Sequence, residues 1–174
     1  MDENELHDQL SLIFNRVMIK PINNDKSSND ILLKNQAVNF SCVHKHVLFK
    51  MRIGKLWEEV ILLYGFEKLE TGLDLIHHER KIVIELKNSW KSDNFSGKQY
   101  KFYTLRNYKR DHPEYEVIYG CINDFKIRDY VNKDGVRILT SDAFLRFIFG
   151  NQSEFVVNSL RSMISVYLTQ YPLF

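Results

Sequence analysis

The stretch 72–91, GLDLIHHERKIVIELKNSWK, constrains this chain more than any other. Side chains over 81–87 alternate as they must on a β-strand. Ile82, Ile84 and Leu86 take one face, and Val83, Glu85 and Lys87 take the other. An acid and a base therefore project together at the end of an otherwise apolar strand. Just upstream, 73–77 reads as a second strand with Asp74 and Ile76 sharing a face. A turn centred on Glu79 and Arg80 places Asp74 directly opposite Glu85. Opposed Cβ atoms in an antiparallel pair lie ~4.5–5.5 Å apart. Two carboxylates that close repel unless a divalent cation sits between them or one is protonated. Lys87, one strand repeat along, completes a cluster suited to phosphate chemistry. A strand ending in Glu-x-Lys is also common as a solvated cross-strand pair, so the weight rests on Asp74, the register and the segments alongside.

The rest of the chain supplies helices and further strands. A helix is expected over 5–19, with Leu6, Leu10, Ile13, Phe14, Val17 and Met18 on one face and Pro21 beyond its end. The run 20–36 is rich in Asn, Asp, Ser and Lys and reads as a surface loop or a polar arm. The clearest helix spans 52–64, where Ile53, Leu56, Trp57, Val60, Ile61 and Tyr64 form a stripe that Gly65 ends. Glu58 and Glu59 flank that stripe. A helix over 98–111, a buried strand over 116–122 and a short strand over 136–140 follow. The last elements are a helix over 142–149, with Ser141 as a possible N-cap, and a final amphipathic helix over 153–170. That order predicts an α/β or α+β fold, a mixed central sheet flanked by helices.

At 174 residues and 20.8 kDa, with 44% hydrophobic and 26% charged residues, the chain suits one globular domain. It has no run of ~18 apolar residues, so no membrane span is expected. The start, MDENELHDQL, is too acidic and polar for a secretory signal. Cys42 and Cys121 are too few for a disulfide framework and fit a reducing compartment. His44 and His46 would share a strand face and His77–His78 abut the hairpin turn, but no spacing matches a known zinc site.

The formal net charge is only +2, yet 87–110 carries seven cations against one acid, Asp93, a net of +6. Such a concentration beside the acid pair is an electrostatic footprint for a polyanion. Asn88, Ser89, Ser92, Asn94, Ser96 and Gln99 interleave with Lys91, Lys98 and Lys101 as short donors and acceptors for phosphates or base edges. Aromatic residues in the same stretch could stack on bases, though most should anchor the helix to the sheet.

Taken together, Gly54-Lys-Leu-Trp57-Glu58, Gly72-Leu-Asp74 and Glu85-Leu-Lys87-Asn88-Ser89 resemble the PD-(D/E)XK nuclease superfamily, most closely its type II restriction endonucleases. The polar run through Asp93-Asn94 is similar to the segment after E-x-K in several of them, and Gln99-x-x-x-Tyr103 resembles the helix motif of a related branch. Leu73 stands where the family often has Pro, a variable position. The resemblance covers about 52–124 and implies a restriction-endonuclease-like sheet within a single nuclease domain over 1–174, with helical additions at both ends. It implies Mg²⁺-dependent hydrolysis of double-stranded DNA, with Asp74, Glu85 and the backbone carbonyl of Leu86 holding the metal. Lys87 would orient the attacking water and Glu58 would be the accessory acid. The residues Asn88, Ser89, Lys91, Ser92, Asn94, Lys98, Gln99 and Lys101 would line the DNA channel.

A restriction role further implies a homodimer, a cytoplasmic setting in a prokaryotic cell, and a DNA methyltransferase as genetic partner. Two alternatives stand beside it: a repair or recombination nuclease of the same superfamily, such as a junction resolvase, and a DNA-binding module without catalysis. The acidic and basic residues at 74, 85 and 87 argue against the last.

Overall fold

The hairpin that the sequence predicts has the predicted register. In the computed structural model, which describes residues 1–19, 42–70, 72–89 and 95–171 (without the side chains of 42–47, 89 and 95–100), strand β2 (Leu75–His77) runs antiparallel to β3 (Ile82–Ser89). Leu75 pairs with Ile84, Ile76 with Val83 and His77 with Ile82. The turn between them closes with Lys81 at φ 52°, its N–H donating to the His78 carbonyl. Upstream, the two-residue β1 (Glu67–Lys68) adds an antiparallel edge that the sequence did not suggest.

The chain falls into two compact units, residues 60–153 and the combination of 1–59 with 154–174. The first of these holds a six-stranded mixed sheet in the order β1-β2-β3-β4-β6-β5. After β3 the chain enters helix α3 (Phe95–Asp111) and returns as β4 (Glu116–Asn123), parallel to β3. A helical crossover is what a parallel pairing demands. Strand β5 (Asp129–Val131) is a fully exposed edge, which explains why no apolar alternation announced it. Strand β6 (Val136–Thr140) lies parallel to β4 and antiparallel to β5. Helix α4 (Ser141–Phe149) and α5 (Ser153–Gln170) follow, with a short 3-10 turn between them.

Helices cover both faces of this sheet. On one, Leu105 of α3 joins Leu73, Ile76, Val83, Val117, Tyr119, Val136 and Ile138 in a buried cluster. Phe102 stacks on Tyr119 with ring centroids 4.8 Å apart. On the other, α4 comes so close to β4 that a Cβ on Gly120 would lie 2.3 Å from the Phe144 ring. The central strands are accordingly apolar on both faces, and β4 is buried from Val117 to Ile122. Glu85 and Thr140 are the polar residues buried among them.

The remaining unit is helical. Helix α1 (Glu3–Met18) is capped by the Asp2 carboxylate, which accepts from Glu5 N–H at 2.9 Å, and it buries Leu6, Leu10, Ile13, Phe14, Val17 and Met18 as its periodicity predicts. Helix α2 is Cys42–Leu62, beginning ten residues before the apolar stripe. His44, Lys45 and His46 therefore stand on a helix and not on the expected strand. Arg52 donates to the Met18 carbonyl at 2.8 Å, closing the C-terminal end of α1. The polar arm over 20–36 lies outside the described residues.

A carboxylate pair shared by two lysines

In the middle of β3, Glu85 points into the protein from the face it shares with Val83 and is fully buried. Asp74 directly precedes β2, just beyond the last observed pair of the hairpin, Leu75 with Ile84, and close enough to Glu85 for their charges to interact. Its N–H donates to the Ile84 carbonyl at 3.1 Å, and one carboxylate oxygen, Oδ2, accepts from Leu86 N–H at 2.7 Å. The side chain thus continues the ladder where β2's backbone leaves it. In a strand the N–H and C=O of one residue point to the same edge. Leu86 accordingly turns its carbonyl toward the Asp74 edge as well.

The electrostatics of the pair follow from burial and proximity. Burial pushes the Asp74 carboxyl above the ordinary carboxylate range, and the neighbouring Glu85 charge pushes the same way. The Leu86 N–H, Lys87 and Lys101 pull it back only in part.

Two lysines answer Glu85. Lys87 Nζ, two residues along β3, lies 2.9 Å from Glu85 Oε1. Lys101 Nζ, reaching in from α3, lies 2.9 Å from the same oxygen and 3.4 Å from the Gly72 carbonyl. Both ammonium groups sit on Oε1 without the angular geometry of a hydrogen bond, and Oε2 is buried without any partner among the described residues. A buried carboxylate oxygen with no donor is costly to leave unmade. A hard divalent cation, which takes oxygen ligands, is what such an atom fits.

Lys101, which the sequence reading places among the cations lining a DNA channel, stands beside the acid pair. The signal lay in the helix period: Lys101, Leu105 and Tyr108 are spaced to share one face, and Leu105 is in the core. Two other cations of the +6 stretch have partners of their own. Lys109 donates to the carbonyls of Pro113 and Tyr115, and Arg110 is paired with Asp111. What faces outward is a groove of about 450 Å³ lined by Tyr103, Arg106, Asn107, Lys109, Arg110, Lys133 and Asp134. There the Arg106 guanidinium lies over the Tyr103 ring at 5.2 Å.

Of the other expected site residues, Asn88 accepts from the Asn123 side chain at 3.0 Å, linking the ends of β3 and β4. Lys91, Ser92 and Asn94 lie outside the described residues, as do the side chains of Ser89, Lys98 and Gln99. Glu58 is on α2 in the helical unit, half-buried; its neighbour Glu59 is spoken for by Arg16, at 2.9 Å. Among the described residues no group of three or more His, Cys, Asp or Glu is gathered, and no helix is long and apolar enough to cross a membrane. Cys121 is buried, as its apolar run predicts. Ser141 is not the N-cap of α4. That position is Thr140, and the Ser141 hydroxyl instead binds the backbone of Asp124, donating to its carbonyl at 2.7 Å.

No protein-family model matches this sequence, and no curated protein matches it at a significant level.

Proposed function

We propose that this chain is a Mg²⁺-dependent endonuclease that hydrolyses DNA phosphodiesters, built on a restriction-endonuclease-like sheet and acting as a type II restriction enzyme. One observation carries the reading: a buried carboxylate, Glu85, shares its site with Asp74 and two lysines and, among the described residues, leaves Oε2 without a partner. A solvated surface pair would not be buried, and a purely structural ion pair would satisfy both oxygens. The mixed sheet, with its hairpin feeding a parallel strand through a helix, is consistent with the resemblance seen in the sequence.

The residues that would hold the metal are Asp74 and Glu85, with the Leu86 carbonyl on the same edge. Bound there, a divalent cation supplies Lewis-acid stabilisation of the phosphoryl oxygens and lowers the pKa of a coordinated water. The protein's own part is positional. Leu86 N–H fixes the Asp74 carboxylate, and the two ammonium groups fix Glu85. Lys87 orients the attacking water and stabilises negative charge as it develops. The basic groove on α3 attracts the phosphate backbone.

Incubation of the protein with plasmid and duplex DNA in Mg²⁺, with EDTA and Glu85→Ala as controls, tests the reading. Defined fragments from the wild type alone support a sequence-specific endonuclease. Preferential cutting of branched DNA would favour the repair alternative, and no cleavage of any DNA would overturn the proposal.

A further inference from the structure

Of the described aromatic side chains on α3, Phe102 and Tyr108 pack against the sheet core, while Tyr103 is 55% exposed. Tyr103, Arg106, Asn107 and Arg110 stand at i, i+3, i+4 and i+7, on the side of α3 turned away from Lys101 and Leu105. The basic groove and the acid pair therefore lie on opposite sides of one helix, and a ligand in the groove leaves the acid pair open.

Both banks of the groove are held in place. On α3, the Arg106 guanidinium lies over the Tyr103 ring, and Lys109 is tied to the carbonyls of Pro113 and Tyr115. The facing bank is the turn between β5 and β6. Asn132 Oδ1 accepts from the N–H groups of both Asp134 and Val136, and Gly135, at φ 76°, donates to the Asn132 carbonyl at 3.1 Å. Lys133 stands exposed on that turn. Four cations line the groove against one acid, Asp134, which suits an anionic occupant. A volume of about 450 Å³ is that of a small-ligand cleft. A bare phosphate has no use for an exposed ring. A base with an open face does, because bases stack on aromatic rings and on guanidinium planes alike, and inside a duplex those faces are covered.

We infer that this groove is a subsite for an unpaired nucleotide, with its base stacked on the Tyr103–Arg106 pair and its phosphate held by Lys133. The inference rests on the nucleic-acid reading of the groove above and gives it a ligand, a base joined to a phosphate, either within a strand or free.

Fluorescence anisotropy of a labelled thymidine decamer with the full-length protein in EDTA tests this apart from cleavage. The wild type should prefer it to an abasic decamer, which keeps the phosphates and lacks the bases. Tyr103→Ala should lose about 5- to 100-fold in affinity for the thymidine decamer and bind the abasic one unchanged. Tyr103→Phe, which keeps the ring, should match the wild type. Lys133→Ala should weaken both decamers and lower the salt slope by about 0.7. Competition by thymidine monophosphate separates the two sources: displacement at micromolar concentration assigns a free nucleotide, and displacement only at millimolar concentration assigns a nucleotide within a strand. Equal wild-type affinity for the two decamers, or wild-type affinity in Tyr103→Ala, would overturn the inference. If the subsite fails and plasmid is still cut in Mg²⁺, the nuclease reading stands. If the subsite holds and no DNA is cut, only the nuclease reading is lost.

Discussion

Asp74 and Leu86 are joined by a 2.7 Å hydrogen bond from backbone N–H to carboxylate, which lets a side chain take over the β-ladder where strand β2 ends. The same carboxylate is held above its ordinary pKa by burial and by Glu85. Without a cation, the ionised form therefore costs the fold stability at neutral pH. Asp74→Asn keeps an acceptor for Leu86 N–H and removes the charge. In EDTA it should melt higher than the wild type by roughly 2–4 °C, what about 1 kcal/mol gives a domain of this size. The gain should shrink as pH falls toward the carboxylate range, where a proton does the same work. Asp74→Ala, which loses the acceptor, should show no such gain. Thermal melts of the three proteins across pH read this directly.

Catalysis should separate from binding at Glu85 and Lys87. Glu85→Ala should abolish cleavage and leave much of the DNA affinity, since that affinity comes mostly from phosphate contacts. Lys87→Ala should lower the rate by on the order of 10²–10³, the loss seen when one group stabilising developing charge is removed. Single-turnover cleavage and electrophoretic binding assays measure the two separately. Wild-type rates in either variant would remove it from the site.

The acid pair was legible in the sequence because strand alternation and hairpin arithmetic are local. Asp74, Glu85 and their register follow from a period of two and one turn. For Lys101 the helix period gives only the inward face it shares with Leu105; its meeting with Glu85 depends on how α3 crosses the sheet, and a tertiary crossing leaves no short-range signature. The start of α2 was missed for another reason. The apolar stripe begins ten residues after the helix does, so periodicity marked the stripe and not the helix. β5 was missed because an exposed edge carries no alternation. Thr140 and Ser141 carry no motif either. Their hydroxyls hold the loop 124–128 through bonds such as Thr140 Oγ1 to the Lys126 carbonyl at 2.6 Å, a role visible only once β6 lies beside that loop.

Gly120 should tolerate no side chain. A Cβ would lie 2.3 Å from the Phe144 ring, with the sheet beneath it and α4 above. Gly120→Ala should destabilise the protein by roughly 1–3 kcal/mol, the range for overpacking a closed core. The smaller ring-free Phe144→Leu should recover part of that loss in the double variant. Urea unfolding of the single and double variants gives the coupling.

Acid should loosen the β5 edge. Arg137 binds Asp129 through two hydrogen bonds, at 2.9 and 3.1 Å, and reaches Glu116 at 2.8 Å. Its hydrogen bonds hold the Asp129 carboxyl below the ordinary range. A depressed carboxylate contributes stability above its unfolded pKa and loses it as pH falls through the folded one. Asp129→Asn should therefore be less stable than the wild type at neutral pH, and the two should converge below about pH 4. The effect should be small, because the Asp129 side chain is half exposed and screened.

The last prediction concerns assembly. On the proposed endonuclease reading, a 20.8 kDa chain with the Asp74–Glu85 site would cut one strand per engagement, and cutting both strands at one position would be most simply done by a two-fold dimer on a palindromic site. The helical unit has the surface for it. A groove of about 280 Å³ between α1 and α5 is lined by Phe14, Ile19, Met163, Val166 and Tyr167, and Val166 and Tyr171 are more than half exposed. Helix α5 fully buries only Val156 and Leu160, and Val166 is its exposed large apolar residue. Val166→Glu would put a charge into an isologous contact there, where it would meet its own copy. Light scattering should find the wild type as a dimer on DNA and this variant as a monomer, cutting one strand and leaving nicked plasmid. If the wild type itself stays monomeric on DNA and only nicks, the dimer falls and the repair-type reading gains.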